Sequence, residues 1–517
     1  MYTITPKQMQ SLEKEYMLQN EISGQVLMER AALHVANEIK TYLVDEQSTI
    51  ICFCGNGNNG ADALCALRLL SMQNVLFSAI IFTTNGVPSK DYVREKNWLL
   101  ENKVNVTWQT PTDAKNFEIN KLSITVVVDA LFGTGLSRPL QDEALEYCNL
   151  SNKLNNQGYP VISIDIPSGL NGENGLVLGQ AIKATTTLCF HQIKQGLLLN
   201  DGMDYVGKIK LCDIDLPISK QGRVFKNEEV ARFFNKRKQN SHKGDYGRVV
   251  ILGGKEGMAG AVAFAAMAAL RSGAGLVYVA CPQKSLSIVQ TLVPGAVAVG
   301  LNSNYEKAWK ELYLLIEKAD SIVVGCGLGE STWSKKILNS LIKFVKKEEK
   351  RIILDADALN IISKYKKTLT LPTAIVTPHP MEMARLCDCN IKDVLSNPVE
   401  IAKSYHNKTG MNVLLKGVTN VIYTKNDWGL THFGHPALAK GGSGDVLSGI
   451  LGAVFANKFY SQSVLEKMVF ATALQGYACK IALKTYSEYG LLPSDVCNTL
   501  GMLKPNDFIN SIDDILW

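Results

Sequence analysis

Short apolar segments alternate with helical patterns along the whole chain, and this alternation constrains the fold more than any other feature. In the first half we predict strands at residues 49–54, 75–82, 104–108, 124–130 and 160–166, with helices such as 61–72 and 141–156 between them. An amphipathic opening helix is predicted over residues 5–43, with a break near Gly24. Short buried strands separated by helices are typical of a parallel sheet with helices on both faces.

The second half repeats this alternation after a change in character around residues 213–238. Strands are predicted at 247–252, 276–280, 321–324, 351–355, 374–376, 413–415 and 421–424, and a helix of small residues at 258–270. A chain of 517 residues is expected to hold more than one domain. We therefore predict two α/β domains, 1–220 and 226–510, with the boundary near 215–235.

Composition excludes several classes of function. The net charge of +6 is small for this length, so no nucleic-acid partner is implied. The first ten residues do not resemble a signal peptide, and the longest nearly apolar run, 258–270, is too short to cross a bilayer. We expect a cytoplasmic homo-oligomer with no membrane partner. The 12 cysteines include no C-x-x-C pair, which favours reduced thiols over a metal site.

A glycine-rich loop of sequence GNGNNGAD, residues 55–62, lies between a predicted strand and a predicted helix. Backbone N–H groups at a helix start bind phosphate well, and we expect Gly57 and Gly60 to let a ligand approach the backbone. The spacing fits G-x-G-x-x-G, which by itself is a weakly specific pattern. The asparagine amides add groups that can coordinate a cation or bind a ribose.

Two further glycine-bearing turns follow predicted strands, VDALFGTGL at 128–136 and IDIPSGL at 164–170. Open α/β sheets bind ligands at the carboxyl ends of neighbouring strands. Asn59, Asp129 and Ser168 offer only oxygen ligands, which suit a hard cation. A single aspartate at a strand end is often only a helix cap, but three such turns together predict a ligand site.

In order and spacing, these motifs resemble the NAD(P)H-hydrate epimerase family over nearly all of residues 1–215. The resemblance implies a Rossmann-like fold, a bound potassium ion and interconversion of the R and S forms of hydrated NADH and NADPH (NADHX and NADPHX). It also implies that Asp165 and Lys194 form the acid/base pair and that potassium is held by Asn59, Asp129 and Ser168. The implied dinucleotide-binding residues are Asn58, Asn59, Gly60, Ala61, Asp62, Gly133, Thr134, Gly135, Leu136, Ser137, Arg138, Pro139 and Asp165.

A second glycine-rich loop, GGSGD at residues 441–445, directly precedes a helical pattern. Successive N–H groups at a helix start form an anion site, and the aspartate is placed to orient or deprotonate a hydroxyl. Ribokinase-like enzymes use this arrangement for phosphoryl transfer, so this loop is the more specific of the two. Three other strand-end motifs accompany it: GCGLG at 325–329, TPHPMEMARL at 377–386 and Lys416-Gly417.

Together with KGDYGRV at 243–249 and DADALN at 355–360, these motifs resemble the ADP-dependent NAD(P)H-hydrate dehydratase family from about residue 235 to 505. The resemblance implies a ribokinase-like fold and removal of water from the S hydrate, with ADP converted to AMP and Mg²⁺ on the phosphates. Asp445 would act on the substrate hydroxyl. The implied hydrate-binding residues are Ala261, Gly327, His379, Pro380, Met381, Glu382, Met383, Ala384, Arg385 and Asp445. The implied nucleotide-binding residues are Lys416, Gly417, Val418, Thr419, Asn420, His435, Gly441, Gly442, Ser443 and Gly444.

The sequence departs from the two families at a few positions. Ala61 stands where the first family usually has glycine, and we expect its methyl group to lie near the ligand. In the second half, Cys326 replaces a usual proline, Met381 a usual glycine and His435 a usual asparagine. None of the three is expected to touch the loop at 441–445.

Alternatives stay open from the residues alone. His379 could be structural, and Arg385 could be a charge on a helix surface. The second half could be a ribokinase-like kinase of a small alcohol, with the first half a non-catalytic Rossmann-like binding domain. A stable phosphorylated product would favour the kinase, whereas absorbance returning to that of NADH would favour repair.

Overall fold

The computed structural model describes residues 1–115, 117, 123–234, 236–365 and 368–509. These residues form two compact units, one over Met1–Gln221 and one that begins at Gly222. The division falls inside the predicted boundary region. Residues 235, 366–367 and 510 of the predicted second domain lie outside the described residues.

The first unit alternates strands and helices. Its strands are β1 (Thr3–Ile4), β2 (Thr49–Cys54), β3 (Ser78–Thr83), β4 (Val106–Gln109), β5 (Ile124–Ala130), β6 (Val161–Ile164), β7 (Thr186–Phe190), β8 (Ile193–Lys194) and β9 (Lys208–Cys212). Its helices are α1 (Pro6–Asn20), α2 (Gly24–Lys40), α3 (Asn58–Met72), α4 (Lys90–Glu101), α5 (Pro111–Lys115), α6 (Asp142–Asn156) and α7 (Gly202–Tyr205).

The predicted opening helix is two helices, α1 and α2, because Glu21 adopts a left-handed conformation with φ 53° and ends α1. The predicted strand at 75–82 begins later, at Ser78, because Val75 lies beyond the end of α3 but is still hydrogen-bonded to that helix. Its N–H donates to the carbonyl of Leu70 at 3.1 Å. Strands β7 and β9 were not predicted, and both extend the sheet.

The main sheet of the first unit has the order β4-β3-β2-β5-β6-β7-β9, with every neighbouring pair parallel. The chain runs outward from β2 to β4 and then returns to β5, so the direction of winding switches between β2 and β5. Alternate residues of β2 enter two separate cores: Cys52 packs with α2 and α3, and Phe53 packs with α6. Helices therefore cover both faces, as predicted.

The second unit contains a larger sheet and more helices. Its strands are β10 (Arg223–Val224), β11 (Arg248–Leu252), β12 (Leu276–Pro282), β13 (Val297–Leu301), β14 (Ser321–Val324), β15 (Arg351–Leu354), β16 (Ala374–Val376), β17 (Asn412–Leu415), β18 (Asn420–Tyr423) and β19 (Trp428–Thr431). Its helices are α8 (Asn227–Ala231), α9 (Ala259–Arg271), α10 (Leu286–Leu292), α11 (Tyr305–Ile316), α12 (Thr332–Glu348), α13 (Ala356–Ile362), α14 (Pro380–Cys387), α15 (Ile391–Ser396), α16 (Pro398–Thr409), α17 (Ser443–Ala456), α18 (Val464–Ala482), α19 (Pro493–Leu500) and α20 (Pro505–Ile509).

The sheet of the second unit has the order β10-β19-β18-β17-β16-β15-β14-β11-β12-β13. It is parallel from β13 to β17, and the pairs β17–β18 and β18–β19 are antiparallel. Its winding switches between β11 and β14. Helices α9 and α17, both rich in small residues, pack against each other over this region. Within the described residues, no helix has the length and apolar character needed to cross a membrane.

Candidate active sites

The first site lies where β2, β5 and β6 end, next to the switch in winding. The turn after β5 passes between residues of the other two turns. A Cβ atom built on Gly133 would lie 3.1 Å from Oδ1 of Asn59 and 3.4 Å from Oδ2 of Asp165. The structure thus brings together three predicted parts of the site: the start of α3, the segment from Gly133 and Asp165.

Asp165 and Lys194 form a buried ion pair. The Lys194 ammonium donates to Oδ1 of Asp165 at 2.6 Å and to the carbonyl of Phe190 at 2.7 Å. Burial has the largest single effect on Lys194 and by itself lowers its pKa, but the Asp165 carboxylate, together with Cys189 and Glu13, raises the pKa on balance. The lysine therefore holds its proton firmly. Asp165 has a φ of 67°, an unusual conformation for a residue with a side chain, and such outliers concentrate at functional sites.

Asp129 is fully buried at the end of β5 and accepts hydrogen bonds from the surrounding turns. Its Oδ1 accepts from the Ser168 hydroxyl at 2.6 Å, and its Oδ2 accepts from the Ser168 N–H and the Ser163 hydroxyl, each at 2.8 Å. Burial raises the pKa of Asp129, and these hydrogen bonds act in the opposite direction. In the described part of the chain, no cationic side chain is among the groups that act on it.

The residues predicted to hold potassium fit a cation chemically. A buried carboxylate without a cationic partner is costly, and a bound cation would supply the missing charge. The Asn59 amide donates to the carbonyl of Ile164 at 3.3 Å, which leaves its Oδ1 on the side facing Gly133. The Ser168 oxygen lies 3.2 Å from the carbonyl oxygen of Phe132. All these candidate ligands are oxygen atoms, which a hard monovalent cation prefers.

Two expectations for the loop at 55–62 are wrong. Gly60 does not leave room for a ligand, because a Cβ atom there would lie 1.9 Å from the carbonyl oxygen of Gly55. The glycine is required by the loop packing on itself, whereas Gly57 faces open space. The Ala61 methyl group points into the core with Ala63 and Leu64 rather than towards the loop surface. The departure at Ala61 is therefore a core substitution.

Two further acidic side chains, Asp62 and Glu13, interact electrostatically with the Lys194–Asp165 pair, and Glu13 was not predicted from the sequence. Burial raises the pKa of Asp62 well above its ordinary value, and Asp165 and Glu13 add to that rise. The pKa of Glu13 is also raised, by burial and by Asp165, against the attraction of Lys194. Glu13 lies in α1, far from the strand-end motifs in sequence, so spacing gave no signal for it.

The second site is built around Asp445 in the first turn of α17. Gly442 precedes this helix with a φ of 103°, a conformation that favours glycine. Burial, followed by the nearby Asp355, raises the pKa of Asp445 to about 7, while a hydrogen bond with Cys326 and the charge of Lys416 oppose the rise. The expectation that Cys326 does not touch the loop at 441–445 is therefore wrong.

Lys416 and Asp355 form the ion pair of this second site. The Lys416 ammonium donates to Oδ1 of Asp355 at 2.9 Å and lies 3.9 Å from Oε2 of Glu382. The Ser448 hydroxyl donates to the other oxygen of Asp355 at 2.7 Å. Asp355 was noted only as part of a motif, yet it links the ends of β15 and β17 to α17. Lys416, predicted to bind nucleotide, is thus also a structural partner of Asp355.

His379 caps the helix α14. Its Nδ1 accepts from the N–H groups of Met381 at 3.2 Å and Glu382 at 3.4 Å, and the Glu382 carboxylate accepts from the His379 N–H at 2.9 Å. Burial lowers the pKa of His379; the Glu382 carboxylate opposes this effect, and Lys416 and Arg385 add to it. These contacts support the alternative that His379 has a structural role. The cap also lies near the second site, because Oε2 of Glu382 is 3.9 Å from the Lys416 ammonium.

Other residues predicted for the second site make contacts of their own. A Cβ atom on Gly327 would lie 3.2 Å from that of Ala261, so the two are neighbours. Arg385 donates to Oδ1 of Asn360 at 2.9 Å. Asn420 accepts from the Gly417 N–H at 3.3 Å and so shapes the turn after β17.

Comparisons with known proteins find a matching family for each half of the chain. Residues 249–501 match the family model described as NAD(P)H-hydrate dehydratase, and residues 24–196 match the model described as YjeF-related protein N-terminus. The bifunctional NAD(P)H-hydrate repair enzyme Nnr of Escherichia coli K12 is 30% identical over 461 residues, which cover 87% of this chain and 84% of that protein. Its namesake in Methanothermobacter thermautotrophicus is 31% identical over 487 residues, 92% and 90% of the two chains.

The chain belongs to the bifunctional NAD(P)H-hydrate repair enzyme family. A crystal structure of a ribokinase-like superfamily protein from Enterococcus faecalis V583 is similar with a TM-score of 0.50 and 27% identity, covering 55% of this chain and 96% of that one. The predicted ribokinase-like architecture is confirmed. As a member of this family, the chain combines an NAD(P)H-hydrate epimerase unit with an NAD(P)H-hydrate dehydratase unit.

Proposed function

We propose that the epimerase unit interconverts the R and S hydrates of NADH and NADPH at Asp165 and Lys194, and that the dehydratase unit removes water from the S hydrate at Asp445. The observation that carries this proposal is the raised pKa of Asp445 together with its position at the start of α17. A carboxyl group with a pKa of about 7, in the first turn of a helix that follows a glycine-rich loop, is suited to accept a proton from a hydroxyl during phosphoryl transfer.

The dehydration proceeds in two steps. Hydroxide is a poor leaving group, so the substrate hydroxyl first attacks the terminal phosphoryl group of ADP while Asp445 takes its proton. The bond between that phosphoryl group and AMP breaks, and the N–H groups around Gly441–Gly444 stabilise the moving charge. The electron pair of the ring nitrogen then expels phosphate, and loss of the neighbouring ring proton restores NAD(P)H.

The adenine nucleotide is assigned to the turn after β17 and the segment before α17, which hold the predicted nucleotide-binding residues. Among the described residues, no group of three or more His, Cys, Asp or Glu side chains could hold a metal ion. Magnesium usually keeps its waters and binds through substrate phosphates, so we assign it to the phosphates of ADP, whose charge it would neutralise.

The epimerase unit moves one hydroxyl from one face of the ring to the other. Asp165 is the residue assigned to contact the hydrate, and Lys194 fixes its carboxylate at 2.6 Å. The dinucleotide would lie along Asn58–Asp62 and Gly133–Pro139. Potassium, held by Asn59, Asp129 and Ser168, would supply the positive charge that Asp129 lacks and so fix the turns after β5 and β6.

The decisive assay incubates the full chain with purified S hydrate of NADH, Mg²⁺ and either ADP or ATP. We expect absorbance to return to that of NADH, with one nucleotide consumed for each molecule repaired, and AMP to form when ADP is supplied. A stable phosphorylated product without NADH would overturn the proposal in favour of a small-molecule kinase.

A second assay supplies the R hydrate in potassium or in choline buffer. We expect choline to slow loss of the R hydrate and to leave repair of the S hydrate unchanged. We also propose that the protein acts in the cytoplasm and that it forms a homo-oligomer. Light scattering on the purified chain can test the oligomeric state.

A further inference from the structure

The amino-terminal segment is fastened to the strand that carries Lys194. Strand β1 pairs in parallel with β8, and Ile4 lies opposite Lys194 in the register. Thr5 then caps α1: the Gln8 N–H donates to the Thr5 hydroxyl at 3.2 Å, and the Thr5 N–H donates to the Gln8 side chain at 2.9 Å. The start of α1 is therefore fixed beside the ion pair of the epimerase site.

One face of α1 points towards the site. Met9 is 2% exposed and packs in the core, and Gln10 donates to the Thr134 hydroxyl at 3.5 Å. Glu13 is three residues after Gln10 and four after Met9, so it lies on the same face of the helix. Glu15 points elsewhere: it is exposed and accepts a hydrogen bond from Gln19 at 3.0 Å.

Glu13 interacts electrostatically with both residues of the ion pair. Lys194 attracts its carboxyl and Asp165 repels it, and Glu13 in turn acts on Asp62. Burial raises the pKa of both Glu13 and Asp62, so each carboxyl keeps its proton to higher pH than an exposed carboxyl does.

The ion pair itself is a poor source of a proton. The Lys194 ammonium donates to Asp165 and to the carbonyl of Phe190, at 2.6 and 2.7 Å. Its pKa is raised on balance, because Asp165 and the other nearby acidic groups together outweigh the effect of burial. Giving up a proton would leave the buried Asp165 carboxylate without its cationic partner. Epimerisation nevertheless needs a proton for the hydroxyl that leaves.

We propose that Glu13 is a further catalytic residue of the epimerase site, placed by α1 to exchange a proton with the hydroxyl that leaves and returns. As the C–O bond breaks, the ring nitrogen supplies the electron pair and Glu13 gives its proton, so that water departs. Water then adds to the opposite face and returns a proton to the Glu13 carboxylate. This assignment rests on the proposed function of the epimerase unit.

The test compares Glu13→Gln with Glu13→Asp and with the matched control Glu15→Gln in the full chain. Each variant is given purified R hydrate of NADH with ADP, Mg²⁺ and K⁺, and the loss of the R form is followed by chromatography beside an enzyme-free control. Dehydration of the S form and thermal unfolding are measured on the same samples. A wild-type chain no faster than the enzyme-free control would refute the proposed epimerase function itself, separately from the role of Glu13.

With an active wild type, we expect Glu13→Gln to slow R-hydrate loss by about 100-fold, a typical contribution of a positioned acid. Glu13→Asp should recover part of the rate, and Glu15→Gln should keep all of it, with S-hydrate repair and unfolding unchanged in every variant. The assignment is overturned if Glu13→Gln stays within about threefold of the wild type. It is equally overturned if the rate falls only together with unfolding, because Glu13 would then be structural.

Discussion

Both units place a lysine–aspartate pair at the strand ends of a sheet whose winding reverses nearby, but they use the pair differently. In the epimerase unit the paired residue, Asp165, is the group assigned to the substrate. In the dehydratase unit the paired residue is Asp355, and the assigned group is Asp445, whose pKa Asp355 raises and Lys416 lowers. The lysine–aspartate pair of the epimerase unit therefore fixes the position of a reactive carboxylate. The pair of the dehydratase unit instead changes the pKa of a neighbouring carboxyl group.

The glycine loops differ in a related way. In the first loop, Gly60 is needed because the carbonyl of Gly55 occupies the place of its side chain, so the loop is shaped by its own packing. In the second loop, Gly441 faces open space and Gly442 turns the chain into α17. Each loop thus has one glycine that faces open space, Gly57 in the first and Gly441 in the second. The loops differ in the other glycine, because Gly60 is fixed by backbone packing and Gly442 by its φ of 103°.

The largest effect that separates the units is expected from Asp445→Asn. Without a proton acceptor, ADP-dependent dehydration of the S hydrate should fall by about 1,000-fold, because positioned acids and bases contribute between about 100- and 10,000-fold. R-hydrate epimerisation should not change. Asp427→Asn, an exposed residue of the same unit, is the control and should keep full activity. An Asp445→Asn enzyme with normal dehydration kinetics would remove Asp445 from the mechanism.

The mirror-image variant is Asp165→Asn. It should reduce epimerisation of the R hydrate to near its spontaneous rate and leave S-hydrate repair intact, as chromatography of both epimers can show. Because Lys194 is 1% exposed and loses its partner, the epimerase unit should also lose about 3 kcal/mol of stability. Adding Lys194→Met should restore part of that stability but no epimerisation. Undiminished R turnover in Asp165→Asn would contradict the assignment.

A smaller effect tests how Asp355 adjusts Asp445. With a pKa of about 7, Asp445 becomes ionised, and able to accept a proton, as pH rises through neutrality. The dehydration rate should therefore fall on the acid side of about pH 7. Since Asp355 raises the pKa of Asp445, Asp355→Asn should move this acid limb to lower pH by about one unit. An unmoved or upward-shifted limb in the measured pH–rate profile would show that the pair does not act on Asp445.

The smallest effect is expected from Ala61→Gly, which restores the residue usual in the epimerase family. Because the Ala61 methyl group lies in the core within α3, its removal should cost about 1 kcal/mol of unfolding free energy and leave epimerisation within about twofold. Ala66→Gly, also buried in α3, should behave alike. A clear gain in epimerase kcat/KM for Ala61→Gly would indicate that the Ala61 methyl group lies near the ligand.

Periodicity and turn chemistry were enough to predict the two α/β units and most strands of their sheets, because buried parallel strands read as short apolar runs. The glycine-rich loop before α17 also led to Asp445, whereas Asp165 and Lys194 were implied by the family resemblance. The structure places all three among other ionisable groups. The missed features depend on contacts across the fold. Glu13 comes from a helix outside the motifs, Cys326 reaches Asp445 from another strand end, and Gly60 is explained only by the backbone that it meets.

The central claim is that one chain repairs both hydrate epimers through two different sites. Its most direct test supplies a mixture of R and S hydrates of NADH with ADP, Mg²⁺ and K⁺, and follows both epimers and AMP by chromatography. We predict that both epimers disappear faster than in an enzyme-free control, with AMP formed in equal amount to the NADH recovered. Consumption of the S form with the R form declining only at its spontaneous rate would contradict the account.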